Sequence, residues 1–453
     1  MINLADYKNE RQYKTVFFET FGCQMNKLDA ELSLGLLQED GYRIVDKVDD
    51  ADVILYNTCS VRQHAEDKVY SHLGALKTLK KKHPDVIVGV LGCMAQKDAQ
   101  SIFKRMPHVD LVCGTRMFSR LPELLLKIRN HGNHVLAIDE DEIVDVKRIA
   151  AYRPNVYQAF VTVMRGCDNY CSYCIVPYVR GREISRTIDD VKQEVQELVT
   201  NGCKEITLLG QNINSYGKSL QGNVTLGDLL TELNGIEKLE RLRFVTSHPK
   251  DMSRDLILTM SRLDKVCEHL HMPAQSGSDR ILRKMHRGYT AGYYRELIHY
   301  ARELMPDINV ASDFIVGFPG ETEEDFQETV RLMEDIRFQN CFIFKYSTRT
   351  GTKAAELEDD VPDEVKKKRN AVLLDLQKKI SLEENKKLLG RKLQVLVEGA
   401  SKSDQTKLSG RSRQNHIVVF NGQPDLVGTL AEVTINEVTD LTLFGILCNQ
   451  EMP

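Results

Sequence analysis

Short apolar runs alternate with segments of helical spacing along the first third of the chain. The runs end near residues 20, 58, 91 and 112, and amphipathic stretches separate them. Leu28, Leu32 and Leu36 share one helical face, and Gly41 is the predicted end of that helix. Strands that alternate with helices indicate a parallel sheet. We therefore predict an open parallel α/β sheet in a domain at residues 14–130, after a loose polar lead-in.

The alternation resumes with longer units after a predicted linker at residues 131–157, whose acidic run Asp139–Glu142 is expected to be solvated. Six strand–helix units follow, and they predict an open TIM-like (βα)6 barrel in an α/β domain at residues 153–384. Polar and glycine-rich loops should collect at the carboxyl-end mouth of this barrel. The predicted strands are 158–164, Glu205–Leu209, Arg241–Val245, His269–Met272, Val310–Val316 and a strand near Cys341–Tyr346.

The apolar period changes to two near the carboxyl end, after a long charged helix predicted at Asp363–Leu389. Short alternating strands with glycine turns predict a small β-barrel in a domain at residues 387–450. Its strands are predicted at Leu393–Glu398, Ile417–Phe420, Leu430–Val433 and Leu443–Leu447.

The predicted first long loop of this barrel contains a cluster of four basic residues: Lys402, Lys407, Arg411 and Arg413. They form either a solvated loop or a phosphate-contacting patch of the kind that barrels binding single-stranded nucleic acid carry. The formal net charge of the chain is −4. Any nucleic-acid contact would therefore depend on such local patches and not on global charge.

The 453 residues allow two to four domains, and they include 11 cysteines. The first residues have no apolar leader, and no apolar run approaches the roughly 20 residues that cross a bilayer. We therefore expect a cytoplasmic protein in a reducing compartment, where metal ligation explains the cysteines better than disulfides do.

Three cysteines with the spacing C-x3-C-x2-C follow the first strand of the predicted barrel: Cys167, Cys171 and Cys174. We call them the loop triad. Two close thiols would suit a redox pair and four would suit zinc, whereas three suit an iron–sulfur cluster with one open iron. The alternative is three buried thiols that act as small apolar side chains. The spacing resembles the radical-SAM signature, which usually carries an aromatic residue where Tyr173 stands.

A second set of cysteines follows the predicted strands of the first domain: Cys23, Cys59 and Cys93, which we call the sheet-edge triad. Parallel strands lie about 4.8 Å apart and bind ligands at their carboxyl edge. The three thiols are therefore predicted to converge on one ion or cluster, although buried core cysteines remain the alternative. Cys113 also ends a strand, and its apolar flank favours a structural thiol.

Several blocks around these cysteines resemble the radical-SAM methylthiotransferases over nearly the whole chain. They resemble the branch that modifies isopentenyladenosine in tRNA, the MiaB family, more than the branches that act on a ribosomal-protein aspartate or on threonylcarbamoyl-adenosine. One small departure is Met272-Pro273-Ala274, where the family more often has Leu-Pro-Val. The blocks are Thr20–Asn26, Asn57–Arg62, Gly92–Ala95, Gln211-Asn212, His271–Ser278 and Arg287–Thr290.

The resemblance implies two 4Fe–4S clusters, S-adenosylmethionine (SAM) as radical source and methyl donor, and a carboxyl-terminal TRAM domain that binds RNA. The loop triad would hold the cluster that cleaves SAM to a 5′-deoxyadenosyl radical, and the sheet-edge triad would hold the auxiliary, sulfur-donating cluster. The activity implied is methylthiolation of carbon 2 of N6-isopentenyladenosine on the 3′ side of the anticodon. The residues expected near SAM are Tyr173, Gln211, Asn212, Ser276, Asp313 and Phe318.

The expected partners are the tRNA anticodon stem-loop, an external electron donor and a sulfur-supply system, with a monomeric protein and no membrane. Alternatives within the class are methylthiolation of another tRNA adenosine derivative or of a protein side chain. Alternatives from other classes are a non-catalytic iron–sulfur electron carrier and a zinc-bound RNA-binding module that uses the sheet-edge triad.

Overall fold

The computed structural model describes residues 14–60, 63–132, 134–138, 152–153 and 155–448. The polar lead-in and the acidic run Asp139–Glu142 lie outside these ranges. The described residues form two compact units, one comprising residues up to 153 together with Ile175–Arg182, and the other comprising residues 155–174 and 183–448. No helix within the described ranges has both the length and the apolar character of a membrane span.

The first unit is built on a parallel sheet with the strand order β2-β1-β3-β4-β5-β6. Its central strands β3 and β4 are buried throughout, as expected for a sheet covered on both faces. The strands are β1 Lys14–Thr20, β2 Tyr42–Ile44, β3 Val53–Thr58, β4 Ile87–Gly92, β5 Leu111–Cys113 and β6 Val135–Ala137. The helices are α1 Gln24–Glu39, α2 Gln63–Lys82, α3 Cys93–Asp98, α4 Gln100–Arg105, α5 Leu121–His131 and, after a long interval, α6 Val176–Arg180.

The predicted parallel sheet is confirmed, but its two edge strands were not predicted. Strands β2 and β6 have three residues each, and β6 falls inside the predicted linker. Runs this short are too brief to show a periodicity of two, so pairing with the neighbouring strand defines them.

The second unit begins with six parallel strands arranged in two three-stranded sheets, with the orders β11-β10-β7 and β12-β13-β14. Their apolar residues and those of the surrounding helices form one continuous core, which confirms the open barrel. The six strands of these sheets are β7 Gln158–Thr162, β10 Glu205–Leu209, β11 Arg241–Phe244, β12 His269–His271, β13 Asn309–Val316 and β14 Asn340–Lys345. Two further short strands, β8 Met164–Arg165 and β9 Ile184–Ser185, form a separate antiparallel pair. The helices are α7 Ile188–Thr200, α8 Leu226–Asn234, α9 Arg254–Arg262, α10 Asp279–Lys284, α11 Ala291–Leu304 and α12 Glu323–Ile336.

A long helix, α13 Asp363–Lys386, leads to a closed barrel with the strand order β15-β16-β17-β19-β18. The barrel is predicted correctly, but β16 occupies part of the segment predicted as a loop. The loop spans only residues 401–407, so it carries Lys402 and Lys407, whereas Arg411 lies within β16 and Arg413 follows it. The barrel strands are β15 Lys392–Ala400, β16 Leu408–Ser412, β17 Ile417–Phe420, β18 Leu430–Val438 and β19 Thr442–Leu447.

Two arginines of β11 attach the small barrel to the central barrel. Arg241 is fully buried and donates hydrogen bonds to the carbonyl oxygens of Arg411 (2.7 Å) and Gln394 (2.8 Å). Arg243 donates to the carbonyl oxygen of Arg413 at 2.6 Å. These charge-assisted bonds join partly buried backbone acceptors of the small barrel to cations of the central barrel.

We predict that Arg241→Met lowers the stability of the second unit. The substitution removes donors from two partly buried carbonyl groups and one cation near the buried Glu205, whose Oε2 lies 3.7 Å from Arg241 Nη1. Breaking a buried pair costs about 3 kcal/mol or more, so the thermal unfolding transition should fall by several degrees. Lys378→Met is the control, because Lys378 is 67% exposed and such surface pairs contribute under about 1 kcal/mol. Equal transitions for the two variants would contradict this docking role.

Candidate functional site

The loop triad lies on the segment that follows β8, and hydrogen bonds from elsewhere in the second unit hold this segment in place. Gly166 has φ +79°, and its N–H donates to Oε1 of Gln211 at 2.6 Å. The Ser172 N–H donates to the Met285 carbonyl oxygen at 3.0 Å, and the Ser172 carbonyl accepts from Ala354 N–H at 2.7 Å. Cys167 and Cys171 are buried, and Cys174 is half-buried. The loop is thus fixed at its start and in its middle.

Cys171 has two polar neighbours from distant parts of the chain. Nη1 of Arg287 lies 3.4 Å from Cys171 Sγ, and Nε2 of His248 lies 3.9 Å from it. Nδ1 of His248 accepts a hydrogen bond from the Lys250 N–H, so the ring proton is on Nε2 and faces the sulfur. Burial, reinforced by the positive charge of Arg287, lowers the pKa of His248, which keeps the ring neutral. Both groups can donate to a thiolate at this position.

Burial raises the pKa of the Cys167 thiol to about 11. The thiol is therefore protonated at neutral pH in the metal-free protein. Because metal binding requires the thiolate, iron must displace this proton when it binds.

The residues predicted to contact SAM differ in how accessible their side chains are. The Phe318 ring is fully buried against Tyr346 with its centroid 5.3 Å away, and Tyr173 packs against the same cluster. The core covers the Phe318 ring, so the predicted contact of this residue with SAM would be made by its backbone, and it stays a prediction. The Ser276 hydroxyl is also enclosed, since it accepts from the Ser278 N–H at 3.1 Å.

Three other predicted SAM contacts lie shortly after β10, as Gln211 and Asn212 do, or within β13, as Asp313 does. Asn212 donates through Nδ2 to Asp251 at 2.8 Å, and its buried Oδ1 makes no hydrogen bond within the described residues. Asp313 is half-buried, with Oδ2 3.5 Å from His271 Nε2. The side-chain carbonyl oxygen of Gln211 accepts a hydrogen bond from the Gly166 N–H, so Gln211 helps to shape the loop that carries the loop triad.

The sheet-edge triad stands where three neighbouring strands end, as predicted. Cys23 precedes the first residue of α1, Cys59 directly follows β3, and Cys93 begins α3 directly after β4. Strand β3 pairs with β1 on one side and with β4 on the other. The fold of the sheet therefore gathers thiols that are 34 to 36 residues apart in sequence.

Close backbone approach at this edge requires glycine before two of the three cysteines. Gly22 has φ +122°, and an added Cβ would overlap the Cβ of Cys59 and lie 3.1 Å from its sulfur. Gly92 has φ +92°, and an added Cβ would lie 2.6 Å from the Thr58 carbonyl oxygen. Any larger residue would displace a strand end and the cysteine attached to it.

The electrostatic surroundings favour a thiolate at Cys23. A hydrogen bond with Cys59 lowers the pKa of Cys23 to about 6, with a further contribution from the positive charge of Arg180. Cys23 also occupies the N-cap position of the 16-residue helix α1, where the helix dipole stabilises negative charge. Burial raises the pKa of Cys93, and Arg180 opposes that effect. Burial raises the pKa of Cys113 to about 12, which fits the predicted structural thiol.

Both triads suit an iron–sulfur cluster by the chemistry of their donors. Each offers three thiols and a neighbouring arginine, and the Arg180 Nη1 atom is buried without a hydrogen-bond partner in the described part of the chain. The described residues contain no group of three His, Cys, Asp or Glu side chains arranged to hold one metal ion.

The four basic residues predicted to bind RNA do not all lie on one loop. Arg413 makes hydrogen bonds with both carboxylate oxygens of Glu268 (3.0 and 2.9 Å) and with the Val266 carbonyl. Arg411 Nε lies 3.4 Å from Glu398. Lys402 is exposed and Lys407 half-exposed on the loop before β16. The prediction that all four share one loop is therefore wrong, and only the two lysines keep that position.

Several residues next to the thiols were not predicted as functional. Asn26 and Arg287 lie inside family-like blocks, so a signal for them exists in the sequence, although it does not indicate what they contact. Arg180 has no such signal, because its ion-pair partner Asp29 is 151 residues away. His248 stands at the end of a strand, where polar residues serve packing as often as ligands.

Three family models match the chain. The model described as uncharacterized protein family UPF0004 matches residues 15–114, the radical SAM superfamily matches 161–333, and the TRAM domain matches 386–448. These spans contain the sheet-edge triad, the loop triad and the small barrel, respectively.

Relatives match over nearly the whole length. A protein of Carboxydothermus hydrogenoformans named tRNA-2-methylthio-N(6)-dimethylallyladenosine synthase is 47% identical over 96% of this chain and 99% of its own. One of Clostridium botulinum with the same name is 47% identical over 95% and 96%. The solved structure of the radical S-adenosylmethionine methyltransferase TsrM from Kitasatospora setae, with cobalamin and a 4Fe–4S cluster bound, has a TM-score of 0.54 at 14% identity, covering 76% of this chain and 77% of that one. At this identity, the likeness shows the fold alone.

We predict that Gly22→Ala abolishes metal binding at the sheet-edge triad, because the added methyl group would displace the Cys59 strand end. The iron content of anaerobically reconstituted protein should fall by about half, from about eight to about four irons per chain. Gly41→Ala is a matched control. Gly41 also has a positive φ (+85°) but nothing lies within 4 Å of an added Cβ, so this variant should lose only about 1 kcal/mol of stability and keep its iron. Full iron content in Gly22→Ala would contradict the role of close approach.

Proposed function

This chain belongs to the family of tRNA-2-methylthio-N6-dimethylallyladenosine synthases, and we propose that it attaches a methylthio group to carbon 2 of N6-isopentenyladenosine in tRNA. The family follows from 47% identity over 96% of the chain. The observation that carries the proposal is the presence of two separate three-cysteine sites in one chain. A radical-SAM enzyme that only abstracts hydrogen needs the loop triad alone, whereas insertion of sulfur needs a sulfur source as well.

The chemistry requires a radical, because the hydrogen on carbon 2 of adenine is neither acidic nor activated. General acid–base groups cannot remove it usefully, so the cofactors carry the reaction and the protein positions them. When bound, the cluster of the loop triad supplies an electron for cleavage of SAM, the cluster of the sheet-edge triad supplies sulfur, and a second SAM supplies the methyl group.

The chain's own residues have separate tasks in this proposal. Cys167, Cys171 and Cys174 hold one cluster, and Arg287 and His248 donate toward the Cys171 sulfur and reduce its negative charge. Gln211 fixes the start of the loop through Gly166. Asn212, shortly after β10, and Asp313, within β13, are the proposed SAM contacts.

The substrate is tRNA, and we propose the anticodon stem-loop as the part that is bound, with the modified base on the 3′ side of the anticodon. The proposal also includes an external electron donor, a sulfur-supply system that rebuilds the sheet-edge cluster, action as a monomer, and a cytoplasmic location where tRNA is available.

We predict that alanine at all three of Cys23, Cys59 and Cys93 separates radical formation from sulfur transfer. With SAM and a reductant, this variant should still form 5′-deoxyadenosine, because the loop triad is intact. It should form no methylthio nucleoside when tRNA that carries isopentenyladenosine is digested and analysed by mass spectrometry. Methylthio product from this variant would disprove the sulfur-donor role.

The matched control replaces Cys167, Cys171 and Cys174 with alanine. This variant should keep about four of about eight irons and should form neither 5′-deoxyadenosine nor methylthio product. If its iron content falls to zero while the chain stays folded, the two-site proposal fails.

We predict that Lys402→Ala and Lys407→Ala weaken tRNA binding through lost phosphate contacts. Each substitution should flatten the slope of log affinity against log salt by roughly 0.7 to 0.9 and should affect different tRNA sequences equally. Formation of 5′-deoxyadenosine without RNA should be unchanged. Lys378→Ala, on the exposed side of α13, is the control and should keep the parental slope. A double variant that binds tRNA as tightly as the parent at several salt concentrations would exclude this loop as a contact.

A further inference from the structure

The segment that directly follows the loop triad belongs to the first unit and not to the second. Ile175–Arg182 packs within that unit, where the Thr115 hydroxyl donates to the Val179 carbonyl oxygen at 2.8 Å. Ile175 and Val179 form a small buried cluster with Cys93. The residues that follow Cys174 in sequence therefore build part of the surroundings of the sheet-edge triad.

This segment carries Arg180 into the interior beside the triad. Nη2 of Arg180 donates to Asp29 Oδ2 at 2.8 Å and to Asn26 Oδ1 at 3.1 Å. The side chains of Arg180 and Asp29 are 4% and 1% exposed. An ion pair this well buried costs considerable desolvation energy, so its position calls for a physical reason.

The orientation of the guanidinium group is fixed through Asn26. The Asn26 amide nitrogen donates to the carbonyl oxygens of Phe21 (3.0 Å) and Thr58 (2.9 Å). Its oxygen must therefore face Arg180, and the same oxygen lies 3.6 Å from Cys23 Sγ. The asparagine thus connects the backbone on both sides of the cysteines, the Cys23 thiol and the arginine in one network.

The second terminal nitrogen of the guanidinium group is buried and has no hydrogen-bond partner among the described residues. A buried cationic donor without an acceptor is unfavourable. The charges of Cys23 and Cys93 both act on Arg180, so sulfur is the neighbouring acceptor that this nitrogen can serve. Hydrogen bonds to sulfur are among the features that tune the reduction potential of iron–sulfur clusters.

We propose that Arg180 is a positioning residue for the sheet-edge cluster, donating a hydrogen bond through Nη1 to anionic sulfur there and raising the reduction potential of that cluster. Asp29 and Asn26 hold the guanidinium group in place, and Asp29 also moderates its charge. This proposal rests on the proposed function, because it requires a cluster at the sheet-edge triad.

The test uses the full chain with Cys167, Cys171 and Cys174 changed to alanine, so that only the sheet-edge cluster is observed. The variants Arg180→Met, Arg180→Lys and Asp29→Asn are made in this background. Iron and sulfide are counted, and the potential is measured by redox titration followed by electron paramagnetic resonance. Arg120→Met is the control, because it removes an exposed arginine of the same unit that pairs with the surface residue Glu123.

Opposite shifts are expected for the two members of the ion pair. Arg180→Met should disfavour reduction at least tenfold, which is about 59 mV for one electron. Asp29→Asn should favour reduction, because it removes the carboxylate and keeps the cation. Arg180→Lys should lie between Arg180→Met and the parent, and Arg120→Met should stay within twofold of the parent.

A merely structural role would move Arg180→Met and Asp29→Asn in the same direction, or would move neither by more than twofold, and either result overturns the proposal. If Arg180→Met does not retain iron, Asp29→Asn decides, and the proposal stands only if that variant is reduced more easily than the parent. Absence of iron from the parental background would instead disprove the two-cluster function itself, so the two failures are distinguishable.

Discussion

Close packing of three strand ends is the constraint on which the sheet-edge site depends. Parallel pairing of β3 with β1 and β4 brings the cysteines together only if the backbone at Gly22 approaches Cys59 without a side chain between them. Gly92 meets the same requirement against the Thr58 carbonyl. Two residues without a Cβ therefore convert an ordinary sheet edge, at which any parallel sheet can bind a ligand, into one that concentrates thiols.

The two triads offer the same three thiols, but the chain assembles them in different ways. The loop triad is local in sequence, so one short loop carries all three cysteines. Hydrogen bonds of Gly166 with Gln211 and of Ser172 with the Lys284 carbonyl are enough to orient it. The sheet-edge triad is assembled by topology and depends on the whole first sheet. Both nevertheless place a buried arginine beside the sulfurs, Arg287 at one and Arg180 at the other. Negative charge gathered away from water needs compensation, and an arginine keeps its charge even when it is buried.

What could be predicted from the sequence follows from the range of the interactions involved. Strand and helix periodicity predicted the central strands and thus the positions of the six cysteines that are proposed as cluster ligands, because those signals are local. The edge strands β2 and β6 are too short to show a period, and β16 contains the glycine and polar residues of a loop. The Arg180–Asp29 pair depends on the segment Ile175–Arg182, which belongs to the first unit although it is distant in sequence from the rest of that unit. Phe318 stands in a glycine-rich segment that was predicted to lie along SAM, and its sequence context gives no sign that its ring packs into the core.

The basic residues of the small barrel show why charge in a sequence is not the same as charge available to a ligand. Arg413 pairs with Glu268, and the carbonyl groups beside Arg411 and Arg413 accept hydrogen bonds from Arg241 and Arg243. These contacts attach the small barrel to the central barrel within the second unit. A phosphate could bind Arg413 or Arg411 only by displacing the half-buried carboxylate of Glu268 or Glu398. Among the described residues, the short loop at residues 401–407 takes no part in attaching the small barrel to the central barrel. If RNA contacts this barrel by charge, the same interactions that fix the barrel to the core direct the RNA toward that loop.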